Sequence, residues 1–478
     1  MPNKVSYDAV VVGAGPNGLA AAIRLAQEKL SVLVLEANDT IGGGTRSAEL
    51  TLPGFTHDVC SAVHPLGIGS PFFRKLPLER YGLHWVHPEI PLAHPLERDA
   101  AAALFHSTKE TAAACGADDS VYQELMGPLV DGAENLCAEF LQPLLHWPRH
   151  PVQLMRFGRL AVYSAAGLIE KKFKDARTRA LFAGLAAHSF LPLESRPSAA
   201  FALVLGMLGH AVGWPLGRGG SQRIADALAA HLRYLGGEIQ TGFRVEHLDQ
   251  IPLARATLFD ITPLQLLLLL EEKVPSSYQR RLGRYRYGPG VFKVDYALNA
   301  PIPWRSEFCS RAGTVHVGGT FEEIATSERE VSQGKIPERP FILLAQPTLV
   351  DSSRAPAGKH IGWGYCHVPN GSAFDMVEKI EKQIERFAPG FRDCVLTRRT
   401  MNCEQMEAKN ANLVGGDING GLADLSQLLA RPIFSPTPYR IPVPGYYLCS
   451  SSTPPGGGVH GMCGFYAAEA AIRDCFKK

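Results

Sequence analysis

Ten cysteines are scattered along the chain, and no two of them form a C-x-x-C pair. That spacing excludes a dithiol redox motif and a cysteine-only zinc site of ordinary geometry. Reduced, mostly buried thiols are the plain reading. Net charge is almost absent, +2 over 478 residues, so no nucleic-acid partner is expected. A G-x-S-x-G nucleophile elbow is missing, which argues against a serine hydrolase of that type. His57, His64, His316 and His367 lack H-x-x-x-H spacing, and no metal site is expected. Long apolar runs are missing too. Ala199–Leu216 is interrupted by Gly206, Gly209, His210, Gly213 and Pro215, and Leu264–Leu270 is too short to span a bilayer. Both read as buried helices, while contact of Leu264–Leu270 with a membrane surface stays open. The first apolar strand begins at Tyr7 and leaves no room for a leader, so a cytoplasmic location is expected.

What is present begins at that strand. The run Tyr7–Val12 breaks into Gly13-Ala14-Gly15-Pro16-Asn17-Gly18 and then into an alanine-rich helix. A second apolar run, Val32–Leu35, ends at Glu36. Strand, G-x-G-x-x-G turn, helix, strand and acid in this order describe a dinucleotide site. Gly13 allows the tight turn, Gly15 lets backbone approach a pyrophosphate, and Gly18 lets the helix pack on the strand. The helix N-terminus offers unpaired N–H groups to phosphate, and Glu36 is placed to accept from ribose hydroxyls. By itself the turn leaves NAD, NADP and FAD open.

The length calls for two or more domains. Residues 100–212 read as mainly helical. Gly217–Ser221 opens an amphipathic helix from Gln222 to Leu235, followed by Glu238–Gln240, a turn and Arg244–Leu248. From 285 to 370 the pattern turns β-like, with Val291–Leu298 alternating at period two. Residues 375–388 form a helix. The tail is a strand (Tyr446–Ser450), a glycine-rich loop and a last helix, Phe465–Phe476. The tail repeats the chemistry of the N-terminus, so the nucleotide domain is expected to be discontinuous. Residues 1–95, 215–255 and 430–478 would form it, with 96–214 and 256–429 as a substrate domain.

Several segments resemble one family. Glu36-Ala37-Asn38-Asp39-Thr40-Ile41-Gly42-Gly43-Gly44-Thr45-Arg46 is similar to the second cofactor motif of the flavin amine oxidase and phytoene desaturase superfamily. Gly219–Val245 resembles its return into the FAD domain, and Ser450–Gly464 its flavin-closing loop. Gly54–Leu66, Ala388–Asp393 and Asn410–Ile418 place the likeness closest to the phytoene-desaturase-like branch. The resemblance implies an α/β fold, a Rossmann-like FAD-binding domain with a second domain of mixed sheet plus helices. The cofactor it implies is FAD, held by Gly13, Gly15, Pro16, Asn17, Gly18, Glu36, Ala37, Gly43, Gly44, Thr45, Arg46, Val245, Ser452, His460, Gly461 and Met462. Members carry arginine where this chain has Gly44; Arg46, two residues on, is the candidate substitute at the pyrophosphate.

The resemblance also singles out Lys293, matching a lysine near flavin N5, with Asp295 or Glu322 as structural partners otherwise. His460 would donate to a flavin carbonyl or relay a proton near neutral pH. Glu194 and Arg196 are substrate-side candidates against a plain ion pair at the core edge. Cys463 could anchor the flavin covalently, with noncovalent binding the default. The expected reaction is hydride removal by an FAD-dependent oxidoreductase from a hydrophobic substrate to flavin N5. Two alternatives remain open: an amine oxidase using oxygen, and a flavin-bearing regulatory or interaction protein with little turnover.

Overall fold

A computed structural model describes residues 6–143, 146–270 and 273–477. Valine-rich segments buried on both faces build its first sheet, as parallel sheets require. Strands β1 (Tyr7–Val12), β2 (Val32–Leu35), β9 (Glu238–Gln240), β10 (Ala254–Phe259) and β16 (Tyr446–Leu448) lie parallel in the order β16-β10-β1-β2-β9. One sheet therefore collects strands from both chain ends and from the middle. The first helix, Pro16–Gln27, places proline at its opening turn, where the missing N–H costs nothing. It packs on the C-terminal helix Met462–Ala471 so closely that a Cβ on Gly464 would lie 1.8 Å from the Asn17 carbonyl oxygen.

Arg244–Leu248 forms no ladder. The Gln250 amide oxygen accepts from the backbone N–H groups of Glu246 and His247 and closes a turn there instead. The segment 100–212 opens with a strand, Ala101–Leu104, before its helices.

The second sheet has seven strands in the order β15-β11-β14-β13-β12-β6-β7. They are β6 (Ile90–Pro95), β7 (Ala101–Leu104), β11 (Gly290–Leu298), β12 (Ala312–Val317), β13 (Ile342–Ala345), β14 (His360–Val368) and β15 (Val395–Met401). All neighbours are antiparallel except β6 and β12. β6 falls in the 1–95 segment of the sequence, yet it pairs into this larger sheet. The period-two pattern of β11 sorts its side chains. Phe292, Val294 and Tyr296 join a core with Ile380 and Ile384 of the helix Val377–Phe387. Val291 joins the main core with Leu185 and Leu208 of the helices Ala176–Ala187 and Ser198–Ala211, and Lys293 and Asp295 share its face.

A hairpin of β3 (Ser47–Glu49) and β4 (Thr56–Asp58) and a short pair, β5 (Trp85–Val86) with β8 (Leu216–Gly217), bridge the two halves. Ser198–Ala211 is a buried helix. Pro263–Leu270 buries Leu266 and Leu270 but exposes Leu264 and Leu268. Among the described residues no helix is long and apolar enough to cross a membrane.

Candidate active site

The glycine turn is a tight cradle. Gly13 has φ of +104°, and a Cβ on Gly18 would lie 2.0 Å from the Gly13 carbonyl oxygen. Glu36, at the end of β2, is buried and accepts from the backbone N–H of Ala14 (2.8 Å) and of Asn38 (2.9 Å). The carboxylate thus clamps the turn and its own loop. The middle segment meets it: Phe243 N–H donates to the Glu36 carbonyl and Gly242 N–H to that of Asn38. Val245 follows two residues later, half-buried, while Ala37 is exposed beside Glu36.

The Arg46 guanidinium donates to the carbonyls of Gly43 (3.2 Å) and Lys409 (2.7 Å). His460 lies buried in the tail loop. Burial pushes its pKa down to about 4, so its imidazole is neutral. Its Nδ1 accepts from Met462 N–H, which leaves a buried Nε2–H without a partner. Gly461, in the left-handed region (φ +69°), starts the helix that follows. Thr45 is buried with its hydroxyl on the Gly42 carbonyl, and Ser452 donates to the Gly420 carbonyl. Burial lifts the Cys463 thiol to about 11, the wrong direction for a reactive thiolate.

Asp260, immediately after β10, was invisible as a site residue in the sequence. Its Oδ2 accepts from Gly18 N–H at 2.9 Å and lies 2.8 Å from where a Gly15 Cβ would be. Burial, with the nearby Glu36 charge adding to it, raises this carboxyl to about 7 against the pull of the Gly18 hydrogen bond.

On the larger sheet, Lys293 and Asp295 are in direct contact and both buried. Asp295 is thus the partner, while Glu322 pairs with Arg179 elsewhere. Across the ladder stand Tyr365 opposite Lys293 and Trp363 opposite Asp295. The Lys293 ammonium lies 5.9 Å from the Trp363 ring centre. Burial raises the Asp295 carboxyl above its ordinary value, although Lys293 pulls the other way. Lys293 and Arg46 both act on the Cys60 thiol, which burial holds at about 11, and Cys60 abuts Gly44.

A polar hub ties this face to the nucleotide half. Asp58 accepts from Ser47 Oγ (2.6 Å), Ser221 N–H (2.8 Å) and Arg354 Nη2 (2.9 Å). Burial would raise its pKa, but Arg354 and these donors hold it below the ordinary carboxylate value. Trp363 Nε1 donates to the Asp58 carbonyl. His57 Nδ1 lies 3.6 Å from Asp295, but burial and the charges of Lys293 and Arg354 lower it to about 3, so the imidazole is neutral. Glu194, by contrast, pairs with Arg329 at the surface. Arg354, Asp58 and Trp363 gave no local signal, being some 150 to 300 residues apart from their partners in the chain.

Asn17 Oδ1 at the start of the first helix and His460 Nε2 in the tail loop are among the buried polar atoms without a partner, and each could meet a bound group. A cleft of about 400 Å³, lined by Gly67, Ile68, Phe73, Leu83, Trp85 and His87 among others, opens beside the Val459 carbonyl. Among the described residues no His, Cys, Asp and Glu cluster could hold a metal ion.

Residues 11–76 match the family model described as an NAD(P)-binding Rossmann-like domain. The chain is 27% identical to pyridine nucleotide-disulfide oxidoreductase domain-containing protein 2 of Mus musculus, over 98% of this chain and 94% of that protein. It is 26% identical to the phytoene dehydrogenase of Streptomyces griseus, over 81% of this chain and 77% of that one. A solved structure of a putrescine oxidase double mutant superposes with a TM-score of 0.64 at 16% identity, over 99% of this chain and 100% of that one. The chain resembles oxidoreductases of the flavin amine oxidase and phytoene desaturase superfamily along its whole length. The two-sheet architecture, with a Rossmann-like half and a mixed-sheet half, is shared with the putrescine oxidase structure. The ten cysteines are free among the described residues.

Proposed function

We propose that the protein is an FAD-dependent oxidoreductase that removes hydride from a hydrophobic small molecule. The observation that carries this reading is the joining of the turn Gly13–Gly18 to the loop Glu36–Thr45, through Ala14 N–H on the Glu36 carboxylate and Gly42 N–H on the Ala14 carbonyl, with the tail packed on the helix that follows: a Cβ on Gly461 would lie 2.9 Å from the Ala20 Cβ. Gly13, Gly15, Gly18 and Gly43 would admit the dinucleotide backbone. Glu36 has lone pairs left for ribose hydroxyls, and Ser452, Gly461 and Met462 would border the ring. FAD, when bound, supplies the two-electron acceptor.

The chain's own residues do the rest. Asp295 fixes the Lys293 ammonium by direct contact and Trp363 covers it, so a single charge is oriented in a buried, water-poor setting. His460 presents its Nε2–H as a neutral donor.

A second reading, an amine oxidase, is favoured by one feature: Trp363 and Tyr365 stand edge to face (5.5 Å, 85°) beside Lys293, and aromatic faces attract cations. Anaerobic mixing of the flavin-loaded protein with polyenes, lipids and alkylamines separates the readings. Bleaching by polyenes or lipids supports the proposal, and bleaching by amines alone supports the second. No bleaching by any of them favours a flavin-bearing regulatory protein.

A further inference from the structure

The face of the molecule around Trp147 departs from the ordinary surface pattern. Trp147 is 93% exposed, whereas Trp214, Trp304 and Trp363 are buried and Trp85 is half-buried. The helix that follows, Pro151–Ala161, turns Phe157 and Ala161 inward. Its outward stripe is Val152, Met155, Arg156 and Arg159, and Val162 and Tyr163 continue it past the helix end. Polar residues belong on such a stripe in a water-facing helix. Here large apolar side chains alternate with arginines.

The charge is as one-sided as the hydrophobicity. Residues 146–174 carry six basic side chains and one acidic one, while the whole chain is only +2. Arg149, Arg156, Arg159, Lys171, Lys172 and Lys174 form no ion pair among the described residues. The next acid, Asp175, is taken by Arg177. Lys171 lies 5.7 Å from the Tyr163 ring centre and keeps that ring at the surface.

The exposed tryptophan is held in place from beneath. Buried Glu139 accepts from the backbone N–H groups of Arg149 and His150 (both 2.8 Å) and from His146 Nε2 (2.6 Å). The loop is therefore built to project Trp147. Arg156 and Arg159 among exposed Val152, Met155 and Val162 on one helix, with Lys171 at the Tyr163 ring and Trp147 exposed before the helix, match the interface of an anionic bilayer, where the rings enter the headgroup level and the cations meet lipid phosphate and carboxylate. A nucleic acid would take the arginines but leave the tryptophan, methionine and valines in water.

We propose that this face docks on the surface of an anionic phospholipid bilayer. Binding is interfacial, since no described helix can span the membrane. The site is separate from the nucleotide cradle and holds whether or not the protein oxidises anything.

The test floats the full-length protein with vesicles of phosphatidylcholine and phosphatidylserine, and with phosphatidylcholine alone. The wild type floats with the mixed vesicles far better than with the neutral ones, high salt releases it, and its tryptophan emission shifts to the blue. Each basic residue near the surface contributes about fivefold, so Arg156→Glu with Arg159→Glu weakens binding about 25-fold or more. Trp147→Ala removes most of the blue shift. All three side chains are exposed, so unchanged circular dichroism and melting keep the comparison clean. Failure to float, equal binding to both vesicles, or variants that float like the wild type would each overturn the proposal. So would a dimer in solution that already shields Trp147 from a soluble quencher, or binding to duplex DNA without binding to vesicles.

Discussion

Lys293 and Asp295 stand two residues apart on β11 and touch on the same buried face, opposite Tyr365 and Trp363. Removing one member leaves the other charge buried without a partner. Lys293→Met should therefore cost about 3–5 kcal/mol in denaturant unfolding. The double variant Lys293→Met with Asp295→Leu should recover much of that loss, and the cycle isolates the pair. In the flavin-loaded protein, Lys293→Met should also change the rate of flavin reduction or reoxidation; unchanged rates would remove the role given to the lysine.

Asp260 and the glycine turn predict a pH dependence. Its carboxyl is raised from the ordinary value to about 7 by burial. Between about pH 4 and 7 the unfolded chain has lost this proton and the native state keeps it, so this group's contribution to stability falls as pH rises through that window. Asp260→Asn keeps an acceptor for Gly18 N–H and should abolish that component. It should also flatten any fall in dinucleotide affinity with rising pH, because no anion then forms beside the phosphate site. Titration of melting temperature and affinity against pH for both proteins checks it.

Buried histidines predict the opposite slope over an overlapping window, and together they outweigh Asp260 there. Burial lowers His64, His94, His210 and His460 to about 4, and His57 and His188 to about 3. The unfolded chain takes up protons near pH 6.5 that the native state refuses, so stability drops as pH falls below that point. Each such histidine removes about 1.4 kcal/mol per pH unit over its window. Acid unfolding should be steep, with uptake of several protons; a shallow transition would contradict the neutral assignments.

Gly464 joins the two ends of the chain. A methyl group there would meet the Asn17 carbonyl at 1.8 Å, a backbone atom that cannot swing away. Gly464→Ala should cost about 1–3 kcal/mol or more by overpacking and weaken dinucleotide retention. Equal stability and retention in the variant would show that the helix contact does not support the cradle.

Local signals in the chain made part of this legible. The G-x-G-x-x-G turn with Glu36, and the alternation of Val291–Leu298, identify themselves because each is a period or a spacing within one element. The sheet then shows which face Lys293 takes, and Asp295 at i+2 is the one partner periodicity allows. Asp260, Arg354 and Asp58 could not be read this way. Each gains its meaning from a residue more than 160 positions distant, through β10 running beside β1 or through the β3–β4 hairpin reaching β14. Arg46 has contacts the sequence does not show either, since its guanidinium meets the Gly43 and Lys409 carbonyls.

The central claim is that the cradle of Gly13–Gly18, Glu36–Thr45 and Gly456–Met462 holds FAD. Gentle purification followed by an absorbance spectrum and release of the bound nucleotide tests it most directly. The account predicts a yellow protein carrying one FAD per chain, with Gly15→Ala colourless though folded. A colourless wild type that takes up no FAD when it is supplied, or that retains NAD(P) in its place, would contradict it.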